Sequence, residues 1–268
     1  MDPIFFVRRH ALRVLLLGTM LAAAPARAGQ GCEQRALSVD DVRQSMGLAQ
    51  RSLAALDESG ARVALIARAG QNLSKYGVEY SHMAIVVRDH PAGRWSVVHE
   101  LNDCGSDRSA LFVEGLGNFF LTDLYRYRAE LVIPAPELQQ RLLDRMTPTS
   151  EGRMHEPHYN MLSYVYSTRY QNSNQWILEM LAAASAPPGQ VETRREAQAW
   201  LQGIGYRPPT VEVGAVERLG ARMFRANVAF DDHPFDRRMA GHIDTVTADA
   251  LVRFVQRRDA QAKVLVVQ

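Results

Sequence analysis

The chain has 268 residues, 47% of them hydrophobic, with 31 Lys and Arg set against 29 Asp and Glu. This is ordinary globular composition, long enough to bury a substantial core, and nothing in the charge balance points to nucleic acid or to an anionic membrane surface as partner. No repeat or low-complexity tract interrupts it.

The N-terminus carries Arg8, Arg9 and Arg13 before the apolar run Val14–Ala24, and Ala26-Arg27-Ala28 offers small residues where a signal peptidase reads. The pattern predicts a secretory signal over residues 1–28, cleaved after Ala28, and a periplasmic or secreted product. The run is well short of the roughly 20 apolar residues that span a bilayer, so no stable membrane span is expected after cleavage. Gly29-Gln30-Gly31-Cys32 lacks the apolar residue of a lipoprotein signal, and Arg8-Arg9 is a weak twin-arginine match. Cleavage removes four basic side chains (Arg8, Arg9, Arg13, Arg27) and one acidic (Asp2), leaving 27 and 28 and a net charge near −1. Cys32 and Cys104 are the chain's two cysteines. In an oxidising compartment they are expected to form a disulfide, the alternative being two unrelated thiols.

Ser38–Asp57 reads as a helix capped by Ser38 or Asp40, with an apolar stripe of Val42, Met46, Leu48, Leu53 and Leu56. Arg62–Ala69 is a short apolar strand. After the polar loop Gln71–Tyr80 come two strands, His82–Arg88 and Arg94–Leu101, joined by the hairpin-like Asp89-His90-Pro91-Ala92-Gly93. Leu111–Leu124 is mixed. Arg128–Ile133 is a strand, Pro136–Met146 a helix, and Thr147–Tyr159 rich in turn residues. Asn172–Ala184 is a helix by the spacing of Trp176, Ile177, Met180, Leu181 and Ala184, stopped by Ala186-Pro187-Pro188-Gly189. Val191–Leu201, Ala215–Phe224 and Thr247–Arg257 read as helices, and Tyr206–Val213 and Asn227–Phe230 as strands or extended linkers. Residues 29–189 form the expected core, and 190–268 a C-terminal helical extension of the same domain.

Antiparallel partners keep a constant sum of residue numbers, so a loop centred near 90–93 puts His82 opposite a residue between 99 and 101. His82 and His99 are therefore expected as cross-strand neighbours if they share a face. Asn172-Ser173-Asn174 stands where backbone N–H groups are unpaired and electropositive. Ser173 there is either a nucleophile whose anion is favoured or, with Asn172, a plain N-cap. Asn172 and Gln175 either hold a substrate or only cap the helix. His155-Glu156-Pro157-His158 is not expected to bind metal, because Pro157 denies the histidines a shared helical face. Asp231-Asp232-His233 before Pro234 reads as a turn. Tyr159, Tyr164, Tyr166 and Tyr170 read as a partly buried aromatic cluster or a cleft lining. No cofactor or metal is implied.

Taken in order, Ser81-His82-Met83-Ala84-Ile85-Val86-Val87, then Val97-Val98-His99-Glu100, then Asn172-Ser173-Asn174-Gln175-Trp176 resemble the circularly permuted papain-like superfamily. That superfamily includes the NlpC-type cell-wall amidases and the lecithin retinol acyltransferase-like enzymes. The match spans roughly residues 60–185. The chain as a whole also resembles a secreted bacterial family of unknown function. The resemblance implies an α+β fold with a small antiparallel sheet packed on the helix near Asn172. It also implies a hydrolase or acyltransferase acting on amide or ester bonds, in which Ser173 attacks, His82 takes its proton and His99 orients His82. Glu100 is the substitute for His99 if the strand phase differs by one. The superfamily's nucleophile is cysteine, and this chain has Ser173 instead, so a catalytically inactive cleft binding an envelope peptide, glycan or lipid stands as the alternative.

Overall fold

The computed structural model describes residues 36–268. The expected signal segment and Cys32 lie outside the described residues. The chain forms α1 (Val39–Ser59), β1 (Val63–Ala69), β2 (His82–His90), β3 (Gly93–Asn102), β4 (Ser109–Gly115), α2 (Leu116–Phe120), β5 (Arg126–Ile133), α3 (Pro136–Arg145), α4 (Pro148–Arg153), α5 (Ser173–Ser185), α6 (Arg194–Gly203), β6 (Thr210–Glu212), α7 (Ala215–Phe224), α8 (Phe235–Met239), β7 (His242–Asp244), α9 (Ala248–Arg258) and β8 (Lys263–Val267). Six strands make one sheet in the order β4-β3-β2-β1-β5-β8, every pairing antiparallel. β6 and β7 pair separately. The class is the expected α+β.

The sheet is covered on both faces. On one, Leu48, Ala49 and Leu56 of α1 and Phe119 and Phe120 of α2 pack on Ala64, Ile66, Ala84, Val86, Val97 and Leu131. On the other, Trp176, Ile177, Met180 and Leu181 of α5 pack on Val63, Leu65, Met83, Ile85 and Val98, backed by residues of α3, α6 and α9. An antiparallel strand with one wet face alternates apolar and polar residues. β1 and the first six residues of β2 do not alternate, because neither face is wet. Of the thirteen residues of α5, only Ser185 is not buried, which makes it the central helix on that face.

α1 is capped by Ser38, whose hydroxyl accepts from Asp41 N–H while the Asp41 carboxylate accepts from Ser38, and it ends on Gly60 at φ +67°. Its buried stripe differs from the expected one. Ser45, Leu48, Ala49, Ser52 and Leu56 face the sheet, whereas Val42, Met46 and Leu53 are exposed.

The segment 190–268 is more than a helical extension. β8 pairs with β5 from Ala129↔Val267 to Ile133↔Lys263 and completes one edge of the main sheet, and Val267 joins the core on the α1 face. Val211, Val213, Val228, Phe230 and Ile243 form a small separate cluster around β6 and β7.

Candidate functional site

The hairpin sets the positions of the two histidines. β2 and β3 pair with Ile85 opposite Val98, Val86 opposite Val97 and Asp89 opposite Arg94. The tight connection requires Gly93 at φ +144° and a left-handed Trp95 at φ 55°, a conformation rare for a bulky residue. Trp95 is held there by its indole N–H donating to Asp57, 2.5 Å. Continued toward the strand ends, this register puts His82 diagonally across from His99 on one face. Their rings meet there, with Nε2 of His82 2.8 Å from Nδ1 of His99. His99 Nε2 lies 3.1 Å from Glu114 Oε1 on β4. Phe119 packs against both rings, at 6.0 and 5.6 Å between centroids. Arg68 lies over the Phe119 ring and donates to the Phe119 carbonyl. Burial, helped by the Arg68 charge, holds the His82 imidazole well below its ordinary pKa. Burial also lowers His99, against the pull of Glu114. The result is a His82–His99–Glu114 chain in which burial disfavours the charged form of both imidazoles. Glu114 sits on β4, which runs into the mixed stretch 111–124, where the sequence carries no clear alternation.

The start of α5 is a joint between distant parts of the chain. Asn172 is the N-cap: its Oδ1 accepts from Gln175 N–H at 2.9 Å, and its amide donates to Thr245 Oγ1 at 3.0 Å. Asn174 Oδ1 accepts from Met83 N–H of β2 at 3.0 Å. Gln175 Oε1 accepts from Ser163 at 2.6 Å. Gln171 holds the 154–156 segment, donating to Met154 O at 2.8 Å and accepting from Glu156 N–H at 2.7 Å. One turn on, the buried Glu179 receives Gln171, Arg194, Gln198 and Gln175. Burial still raises its pKa, while Arg194 also ties down the carbonyls of Thr168 and Tyr170.

Ser173 is the first residue of α5 and buried. Its hydroxyl and backbone N–H face the phenol of Tyr159. His82 and His99 lie on the α1–α2 face of the sheet with Phe119, whereas Ser173 lies on the α5 face. Pleat alternation puts Glu100, next to His99, on the Ser173 side, where Tyr159, Ser109, Arg194 and Glu179 surround it. The structure therefore brings together His82 with His99, and Ser173 with Tyr159, whose phenol Glu100 also neighbours. Among the described residues, no hydrogen bond joins Ser173 to either imidazole. The groups that do face Ser173 are poor bases. Burial pushes the Tyr159 phenol up to about 12. Glu100 is fully buried, with neither carboxyl oxygen held by a well-formed hydrogen bond, and burial pushes it up to about 8, so it is neutral at pH 7.

Other singled-out residues have structural partners. His155 Nε2 lies 3.1 Å from Ser109 Oγ, and His158 Nε2 3.0 Å from Asp107 Oδ2. Asp231 and Asp232 form a turn: Asp232 accepts from Tyr164 N–H at 2.7 Å, and Asp231 from the Tyr170 hydroxyl at 3.1 Å. Tyr164 and Tyr166 stack edge to face, 5.8 Å apart. A groove of about 460 Å³ opens at the end of β1 remote from His82, between Gly60, Arg62, Pro134, Gln139 and Lys263. No group of three or more metal-ligating side chains occurs among the described residues, and no helix among them is long and apolar enough to cross a membrane.

These features define an α+β protein whose helix-covered antiparallel sheet separates a buried imidazole pair from a buried polar joint. The chain belongs to the family described as "Uncharacterized protein conserved in bacteria (DUF2145)", whose profile matches residues 55–255, from late in α1 to late in α9. No curated protein and no solved structure matches it.

Proposed function

We propose that this is an exported cell-envelope protein, of permuted papain-like descent, that does not catalyse through Ser173 and instead binds an envelope peptide, glycan or lipid. What supports the reading is pleat phase: His82 and His99 alternate with Met83 and Val98, which pack on α5, so both imidazoles point to the α1–α2 face with Phe119, whereas Ser173 opens α5. A serine hydroxyl attacks an ester or amide only when a positioned base takes its proton. The base expected from the superfamily faces away, and the groups at hand, a phenol near 12 and a neutral carboxyl, cannot replace it. The side chains from Gln171 to Gln175 are all engaged in holding the fold, which accounts for the motif without chemistry.

The test is a fluorophosphonate serine probe applied to the purified protein, the wild type beside Ser173→Ala. Neither should label, and both should unfold at the same denaturant concentration within error. Labelling of the wild type that Ser173→Ala abolishes would falsify the proposal and restore a hydrolase or acyltransferase working through Ser173.

A further inference from the structure

We infer that α7 and α8 form a docking face for an anionic phospholipid surface, independent of Ser173. α7 is an amphipathic helix turned inside out. None of its residues is buried, and Val216, Leu219, Met223 and Phe224 are 86, 61, 56 and 56% exposed. Positions 216, 219 and 223 share one helical face. The opposite side anchors the helix: Ala221 packs on the cluster around Ile243, and Glu217 accepts from Lys75 at 3.0 Å and from the Tyr76 hydroxyl at 2.5 Å. The apolar face is thus held outward by fixed contacts rather than by fraying. α8 adds the exposed Phe235 and Met239. The turn after α8 lies against the start of α7, since a Cβ at Gly241 would come within 3.0 Å of Val213 O and 3.1 Å of Arg218 Nη1.

A soluble protein exposes this many large apolar side chains on one short helix and the helix beside its start only where something covers them. The charge beside them identifies what. Arg218 and Arg222 run along one side of the stripe and Arg225 follows it; the Arg218 guanidinium donates to Val213 O, and among the described residues no carboxylate forms an ion pair with any of the three. The acid on α7, Glu217, is bonded to Lys75. An apolar stripe bordered along one side by the exposed Arg222 and Arg225, long side chains whose stems follow apolar surface while their heads reach water, matches a helix lying in a bilayer interface. A second copy is disfavoured, because a two-fold contact would bring the same arginines against themselves. The near-neutral net charge of the whole chain conceals this local excess.

The experiment is flotation of the protein as recovered from cells, its N-terminus read by intact mass, with phosphatidylglycerol–phosphatidylethanolamine vesicles and with pure phosphatidylcholine vesicles. Binding is expected to the first and about 10-fold less to the second, and to weaken with salt. Leu219→Glu with Met223→Glu should abolish it, and Arg222→Glu with Arg225→Glu should weaken it at least 10-fold. All four positions are exposed, so both variants should keep the wild-type circular dichroism and unfolding midpoint. Equal flotation by the wild type and the double-Glu variant, or no flotation at all, overturns the proposal. So does a wild-type dimer in light scattering that the double-Glu variant dissolves, which would make a second copy the occupant. Failure here leaves the serine-probe result untouched.

Discussion

Replacing Glu100 by Gln tests whether a buried carboxyl on the Ser173 side of the sheet stays protonated near neutral pH. Glu100 is fully buried, and its pKa rises from an ordinary 4.5 to about 8, chiefly through burial. Between those values the unfolded chain has released the proton and the folded chain keeps it, so raising the pH favours unfolding. Stability should be unaffected by this group below about pH 4.5, fall by about 1.4 kcal/mol per pH unit up to about pH 8, and level off above it. The full drop is about 5 kcal/mol, of which about 3 kcal/mol is already lost at pH 7. Glu100→Gln removes the titration while nearly keeping the shape. Any cost of fitting an amide into the site is independent of pH and appears only as a constant offset. Urea unfolding of both proteins at half-unit steps from pH 4 to 9 gives the stability difference, in which every other titrating group cancels. That difference should climb in favour of Gln across the window. A flat difference would show that the Glu100 carboxyl ionises freely, and the argument against a base beside Ser173 would lose one of its two supports.

Arg194→Ala should destabilise by about 3–5 kcal/mol, because it strands the buried Glu179 that Arg194 meets at 2.8 Å; chemical denaturation measures it, and a loss below about 1 kcal/mol would mean the joint at α5 is looser than its hydrogen bonds indicate. Leu56→Ala should cost about 2–5 kcal/mol, since the side chain is completely buried, whereas Leu53→Ala, on the exposed side, should cost less than about 1 kcal/mol. A Cys32–Cys104 disulfide is expected to stabilise by about 4 kcal/mol through the long loop it closes. A non-reducing peptide map of the exported protein would show the cross-linked peptide, and two alkylatable thiols would refute the pairing.

The sequence carried the sheet's centre well, since strands buried on both faces are continuous apolar runs, and it carried α5 by helical spacing. The hairpin arithmetic brought His82 to His99 because register depends only on loop position. Which face the pair would occupy was not legible. Face depends on pleat phase relative to α5, and a strand with two covered faces has no polar side to reveal it. β4 was obscured because Phe112 and Val113 are exposed at a sheet edge, so its alternation is weak, and Glu114 was missed with it. The stripe of α1 was misassigned because serines and alanines mark its buried side. β8 escaped because five residues, Lys263–Val267, carry too little pattern until their partner β5 is known.

The position of β8 has a kinetic meaning. Val267 meets a core that Leu48 also joins, so one layer of the protein is closed by segments 219 positions apart in sequence. Contacts of such sequence separation form slowly, because the intervening loop must be ordered before they reward it. While the chain is being made, β5 waits with one hydrogen-bonding edge bare, and that edge is a template for any passing strand until Lys263–Val267 emerges to cover it.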